Sequence, residues 1–186
     1  MNKKIVTTAI VSIMAISFFA SCGARKRAIQ NSATYDVGIV INNVRWATRN
    51  VDTPGTFVRN PQDAGGLFVW EVAQNACPRG WRLPTYDELQ SLRNAGGEWT
   101  AGDRVNGRTF GMAPHQLFLP AAGWRSSTSS AFSTNRAFSN VGTHGLYWSS
   151  TSSDTSHVMY LLIARTGSTV NTANPASGFS VRCVAE

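Results

Sequence analysis

The sequence predicts an α+β domain with a small twisted antiparallel sheet, one or two helices and long loops. Three observations predict it. One stretch, opening at Thr85, carries a strong helix signal. Short apolar runs separated by Ser, Thr, Gly and Asn recur towards the C-terminus, as brief strands do. From Leu117 to Arg182 there is no Lys, Glu or Gln, so small hydroxyls and a few bulky side chains carry the polarity. That composition suits a surface made for contact, because ordinary soluble surfaces carry their polarity on charges.

The elements follow in order. Val37–Ile41 and Val44–Thr48 read as a hairpin, with Asn42-Asn43 supplying the positive φ of a two-residue turn. Val44 and Trp46 alternate with polar residues, which marks one buried face. Pro54-Gly55 turns the chain, 60–66 is a loop, and Leu67–Trp70 is a short apolar stretch. A short helix is expected around Glu71–Asn75. Thr85 and Glu88 form a capping box for the main helix, Leu89 and Leu92 share its apolar face, and Gly96-Gly97 stop it. Residues 102–111 read as a loop. Short strands are then expected at Leu117–Leu119, Leu146–Ser149, His157–Ala164 and Phe179–Val184. No internal repeat is evident.

The first residues address the chain. Lys3 and Lys4 precede an apolar run, Ile5–Phe19, that is too short for a comfortable membrane span. Phe19-Ala20-Ser21-Cys22 resembles the lipobox of bacterial lipoproteins. On that reading residues 1–21 are a signal peptide, Cys22 is the lipidation site, and 22–34 is a basic, polar tether. The other reading is an ordinary secretory signal that contains a Cys. Acyl chains anchor without spanning the bilayer. Gly23 is not the acidic signal for inner-membrane retention, so the expected location is the outer membrane, at the cell surface or on its periplasmic face.

Composition bounds the rest. Residues 35–186 suit one domain with one sizeable core. The formal charge of +7 falls by two on cleavage, and Arg25, Lys26 and Arg27 place much of the remainder in the tether, where anionic headgroups can meet it. The other cations are scattered arginines without a basic, aromatic-laced stripe, so no nucleic-acid partner is expected. Once Cys22 is acylated, Cys77 and Cys183 remain. In an oxidising compartment they suggest one disulfide, the alternative being two free buried thiols.

Several stretches together resemble one family. They are GIVINNVRWATRNVDTPGTFV (38–58), DAGGLFVW (63–70), CPRGWRLPTYDEL (77–89), RTFG (108–111), LFLPAAGWR (117–125), GLYWSST (145–151) and GFSVRCV (178–184). In order, and over nearly all of the mature chain, they resemble the Fibrobacter succinogenes major paralogous domain of Bacteroidota lipoproteins. The resemblance implies a C-type-lectin-like fold related to formylglycine-generating enzymes, with its terminal strands close together. A Cys77–Cys183 bridge fits such a closure.

The last third, about 117–184, also resembles the variable region of proteins diversified by retroelements. Such elements randomise adenines, usually in AAC codons, which yields residue types that exclude Lys, Glu, Gln, Met and Trp. By that resemblance His144, Leu146, Tyr160, Leu162 and Ala164 stand at diversified positions. Ser153, Asp154, Ser156, His157, Ser168, Thr169, Asn171 and Asn174 lie in flanking loops. Tyr160, Leu162 and Ala164 fall at strand spacing, opposite Leu161 and Ile163. Either they line a binding surface over a core of Leu161 and Ile163, or the strand is buried on both faces.

Other chemistry finds less support. His144 and His157 lack a third metal ligand at a recognisable spacing. Calcium needs several oxygen ligands, and Asp154 is the only acid between 117 and 182. No metal or cofactor is expected. No nucleophile-elbow motif marks a reactive serine, and no catalytic residue is assigned. The leading expectation is a lipid-anchored, receptor- or adhesin-like protein with an unknown protein or glycan ligand. The alternatives are a structural envelope or pilus-associated subunit, and an inactive relative of formylglycine-generating enzymes.

Overall fold

The computed structural model describes residues 32–101, 105–126 and 138–186. The signal segment, Cys22 and nearly all of the tether lie outside these residues. Among the described residues three antiparallel sheets form. The first runs β1 (Ile39–Ile41), β2 (Val44–Asn50), β10 (Arg182–Ala185), β3 (Trp81–Arg82). The second is β4 (Gly97–Thr100), β5 (Gly107–Phe110), β6 (Leu117–Pro120), and the third is β7 (His144–Ser152), β8 (Val158–Ala164), β9 (Gly167–Ala173). Helix α1 is Trp70–Ala73 and α2 is Tyr86–Asn94. The α+β class holds, with three small sheets in place of one.

Local chemistry explains the elements that were legible. Asn42 and Asn43 have φ of 48° and 65°, the primed turn that matches the strands' twist. Strand β1 begins at Ile39, later than expected, because Gly38 kinks the chain at φ +67°. A Cβ on Gly38 would lie 2.8 Å from Arg45 Cγ and 2.9 Å from Trp81 Cη2. At α2 the Glu88 N–H donates to Thr85 Oγ1 at 3.3 Å and the Thr85 N–H donates to Glu88 Oε2 at 2.7 Å, closing the capping box. Leu89 and Leu92 are buried beneath it.

Three expectations are corrected. The supposed loop at 102–111 contains β5, which pairs along its length with β4 and β6. The Ser/Thr stretch after Arg165 is β9, paired with β8 at every residue from Val158↔Ala173 to Ala164↔Gly167. Ser168, Thr169 and Asn171 are therefore strand residues. The final strand starts at Arg182, while Phe179 and Ser180 make single bridges to Phe68 and Tyr147.

Two apolar clusters flank the β7–β8–β9 sheet. One gathers Tyr147, Leu161 and Ile163 with Leu89, Leu92, Phe110, Leu117 and Trp46. The other gathers Leu146, Trp148 and Val158 with Phe68, Phe179, Val181 and Cys183. A Cys77–Cys183 disulfide, across a sequence separation of 106, ties the segment between α1 and β3 to β10. In the chain-entropy argument a loop of that size is worth about 4–5 kcal/mol.

Candidate functional site

Strand register decides which candidate residues meet. His144 pairs with Ala164, Leu146 with Leu162, and Trp148 with Tyr160. Across the next ladder Ala164 pairs with Gly167, Leu162 with Thr169, and Tyr160 with Asn171. Side chains alternate along strands, so His144, Tyr160, Leu162, Ala164, Thr169 and Asn171 share one face. It is called the outer face below. The inner face carries Tyr147, Leu161, Ile163 and Val170.

The outer face is neither open nor closed. Trp148 is fully buried and Tyr160, Leu162, Ala164 and His144 are half-buried, while Thr169 and Asn171 are exposed. Leu146, expected among the contact residues, is only 6% exposed and belongs to the core. The reason lies in β7. One of its edges carries β8, while Gly145 and Tyr147 on the other bridge Gly123 and Ser180. Its residues from Gly145 to Ser149 are consequently all buried.

An aromatic floor supports the half-buried residues. Trp148 stacks on Phe179 at 4.1 Å, and the Tyr160 ring tilts over Phe179 at 4.8 Å. Trp124 meets Phe179 edge-on at 6.4 Å. The floor is pinned by polar contacts at its underside. Trp148 Nε1 donates to the Phe68 carbonyl at 2.7 Å and Trp70 Nε1 to the Ser149 carbonyl at 2.8 Å. At the His144 end the rim is a bridge between Trp124 and Ser139, next to the exposed side chains of Phe138 and Val141. Sequence reasoning missed these two, since nothing in SNVG marks a bridge beside a tryptophan.

The loop after β7 gathers Ser153, Asp154 and His157. Asp154 Oδ1 accepts from the Ser156 N–H at 2.6 Å and the His157 N–H at 2.9 Å. The Ser156 N–H, followed by His157, holds this exposed carboxyl below its ordinary range. Ser153 Oγ donates to the His157 carbonyl at 3.2 Å rather than to the imidazole. The trio therefore braces a turn, with Ser153 Oγ also 3.5 Å from Asp154 Oδ2. His144 Nδ1 sits 3.0 Å from Thr143 Oγ1. Asn174 Oδ1 accepts from the Ala176 N–H and braces the turn that follows β9. Among the described residues no group of three His, Cys, Asp or Glu side chains gathers to hold a metal.

Beneath the sheet lies a polar knot that sequence reasoning did not foresee. Arg182 is 1% exposed, and its Nε donates to Asn50 Oδ1 at 2.9 Å and its Nη1 to the Ala47 carbonyl at 3.1 Å. Burial lowers its pKa to about 10. The Tyr147 hydroxyl, pushed up to about 12 by burial, donates to the Pro120 carbonyl at 2.6 Å. The one available signal was a cation inside the apolar run FSVRCV. The knot ties β2, β7 and β10 together and reaches no open surface.

A shallow groove of about 480 Å³ lies elsewhere, between the end of α2 and β4–β5. Among the described residues Glu98 is its single acid, and no histidine, lysine or cysteine lines it. No helix among the described residues is long and apolar enough to cross a membrane.

Residues 25–185 match the family described as Fibrobacter succinogenes major domain. Neither the curated proteins nor the solved structures contain a match.

Proposed function

The chain belongs to the Fibrobacter succinogenes major domain family, and from that premise we propose that it is a lipid-anchored ligand-binding protein of receptor or adhesin type. Its fold is C-type-lectin-like. Support comes from the closure of the domain: β2 and β10 are neighbours in one sheet, and Cys183 on β10 is tied to Cys77. Its anchor is an acylated Cys22, and it resides in the outer membrane.

One observation carries the binding role. Residues His144, Tyr160, Leu162, Ala164, Thr169 and Asn171 come from three strands and converge on one partly covered face. That face lies within the segment free of Lys, Glu and Gln. Tyr160 and Leu162 supply half-buried apolar area, ringed by Thr and Asn that adapt their hydrogen bonds to a partner. Such a mixture binds proteins or glycans without cofactor or bond chemistry. The composition records retroelement diversification, because every one of these residue types arises from a randomised AAC codon.

The gene tests this. The codons for 144, 160, 162, 164, 169 and 171 should end in C. A near-copy of the 3′ end should lie beside a reverse-transcriptase gene, with mismatches confined to its adenines. Leu146 should stay apolar among the gene's variants, since it is core. Absence of both the near-copy and the reverse transcriptase sinks the diversification.

A further inference from the structure

The domain exposes a second apolar surface, far in sequence from the outer face, where the chain leaves the tether. Tyr35 is 67% exposed, Val37 64% and Val40 50%. Three large apolar side chains within six residues are more than scattered surface exposure. All three belong to one short segment at the β1 edge of the first sheet. Gly38 lies between Val37 and Val40, and the Arg45 stem and Trp81 ring close on its backbone. Val40 pairs with Arg45 across the β1–β2 ladder, so the two share a face.

This segment is held in place. The Asp36 carboxylate is buried and accepts from the Gly38 N–H at 2.8 Å, the Thr48 N–H at 3.1 Å and Arg49 Nε at 3.1 Å. With Asp36 turned inward, Tyr35 and Val37 are presented outward. The Arg49 charge neutralises Asp36. Glu88 is paired with Arg82 at 2.6 Å, while Glu186, whose backbone N–H bonds to the Gly80 carbonyl, brings one further carboxylate to this edge. Arg45 and Arg79 are exposed with no carboxylate within ion-pair distance among the described residues. The patch is thus apolar and aromatic, with the Arg45 and Arg79 guanidiniums beside it.

We propose that this patch docks the domain onto the anionic bilayer surface that holds its lipid anchor. Tyr35, Val37 and Val40 enter the interfacial layer, and Arg45 and Arg79 meet headgroup phosphates. The proposal rests on the lipid-anchor reading. Ten residues separate Cys22 from Ala33, so Ala33 stays within about 35–40 Å of the bilayer even if they are fully extended. Confinement at that distance makes docking intramolecular, and a surface too small to bind membranes alone becomes sufficient. Tyr and Trp favour the headgroup level, and Arg stems lie along apolar surface while their charges stay wet.

The test uses the full lipidated protein in vesicles of phosphatidylethanolamine and phosphatidylglycerol. A bimane label is placed on Val40→Cys or, as a control, on Thr169→Cys, and brominated lipids serve as quenchers. The label at 40 should be quenched at least about threefold more than the label at 169, as an interfacial position requires. Adding Tyr35→Ser and Val37→Asp should bring the quenching at 40 down to the control level. Equal, weak quenching at both positions while the protein co-floats with vesicles overturns docking but keeps the anchor. Failure to co-float overturns the anchor and this proposal with it.

Discussion

The β7–β8–β9 sheet has two faces built from the same strands, and they are finished differently. On the inner face Leu161 and Ile163 are fully buried against α2 and the β4–β6 sheet. On the outer face Tyr160, Leu162 and Ala164 alternate with them yet keep part of their surface, and Thr169 and Asn171 keep most of theirs. The inner face is closed by a helix whose start is fixed by a capping box. Among the described residues the outer face rests on a floor that includes Phe68, Trp124 and Phe179. A domain that must present changeable residues needs this asymmetry, since one face can then hold the strands while the other varies.

The largest test of that asymmetry compares adjacent residues. Leu161→Ala should cost about 3–4 kcal/mol, within the range for emptying a closed core site. Leu162→Ala should cost less, about 1–2 kcal/mol, because part of the side chain is already in water. Urea unfolding of the two variants gives both numbers. Equal losses would make the sheet a two-sided core and remove the outer face as a contact surface.

A smaller effect separates the faces by pH. Burial raises the Glu88 pKa, but the Arg82 guanidinium and the Thr85 N–H outweigh it, and the carboxyl is held below its ordinary range. A folded pKa below the unfolded one adds stability that is present above about pH 4.3 and lost as pH falls through the folded value. Glu88→Gln should remove that dependence while keeping an acceptor for the Thr85 N–H, at a cost of no more than about 1 kcal/mol, the usual worth of a part-exposed ion pair. Amide exchange should show the loss first in α2 and the inner strands. An equal loss across the outer rim would deny that α2 serves one face only.

The same asymmetry explains what the sequence disclosed. Helix α2 was legible because Thr85 and Glu88 act within four residues, and the first hairpin because Asn-Asn sets its own turn. Strand β8 showed as an apolar run, and the disulfide followed from the two cysteines left after Cys22. Strand β9 was hidden because GSTVNTA has little apolar content of its own and is a strand only through β8. Strand β5 was hidden likewise, its pattern set by two neighbours. Leu146 was misplaced because alternation marks a face only when one side is wet, and β7 is covered on both. The convergence of six residues on the outer face depends on register, which local sequence does not carry.

The smallest effect is the most telling about function. Thr169→Ala and Asn171→Ala remove exposed side chains that make no hydrogen bond to another described residue in the structure. Each should change stability by no more than about 0.5 kcal/mol, the range for open surface. Tyr160→Ala should cost more, because its ring covers Phe179. The outer face therefore grades from substitutable at β9 to structural at β7, and β8 lies between. A diversified surface must draw most of its variation from the substitutable side. If Thr169→Ala or Asn171→Ala costs as much as Tyr160→Ala, β9 is framework and the face has no freely variable edge.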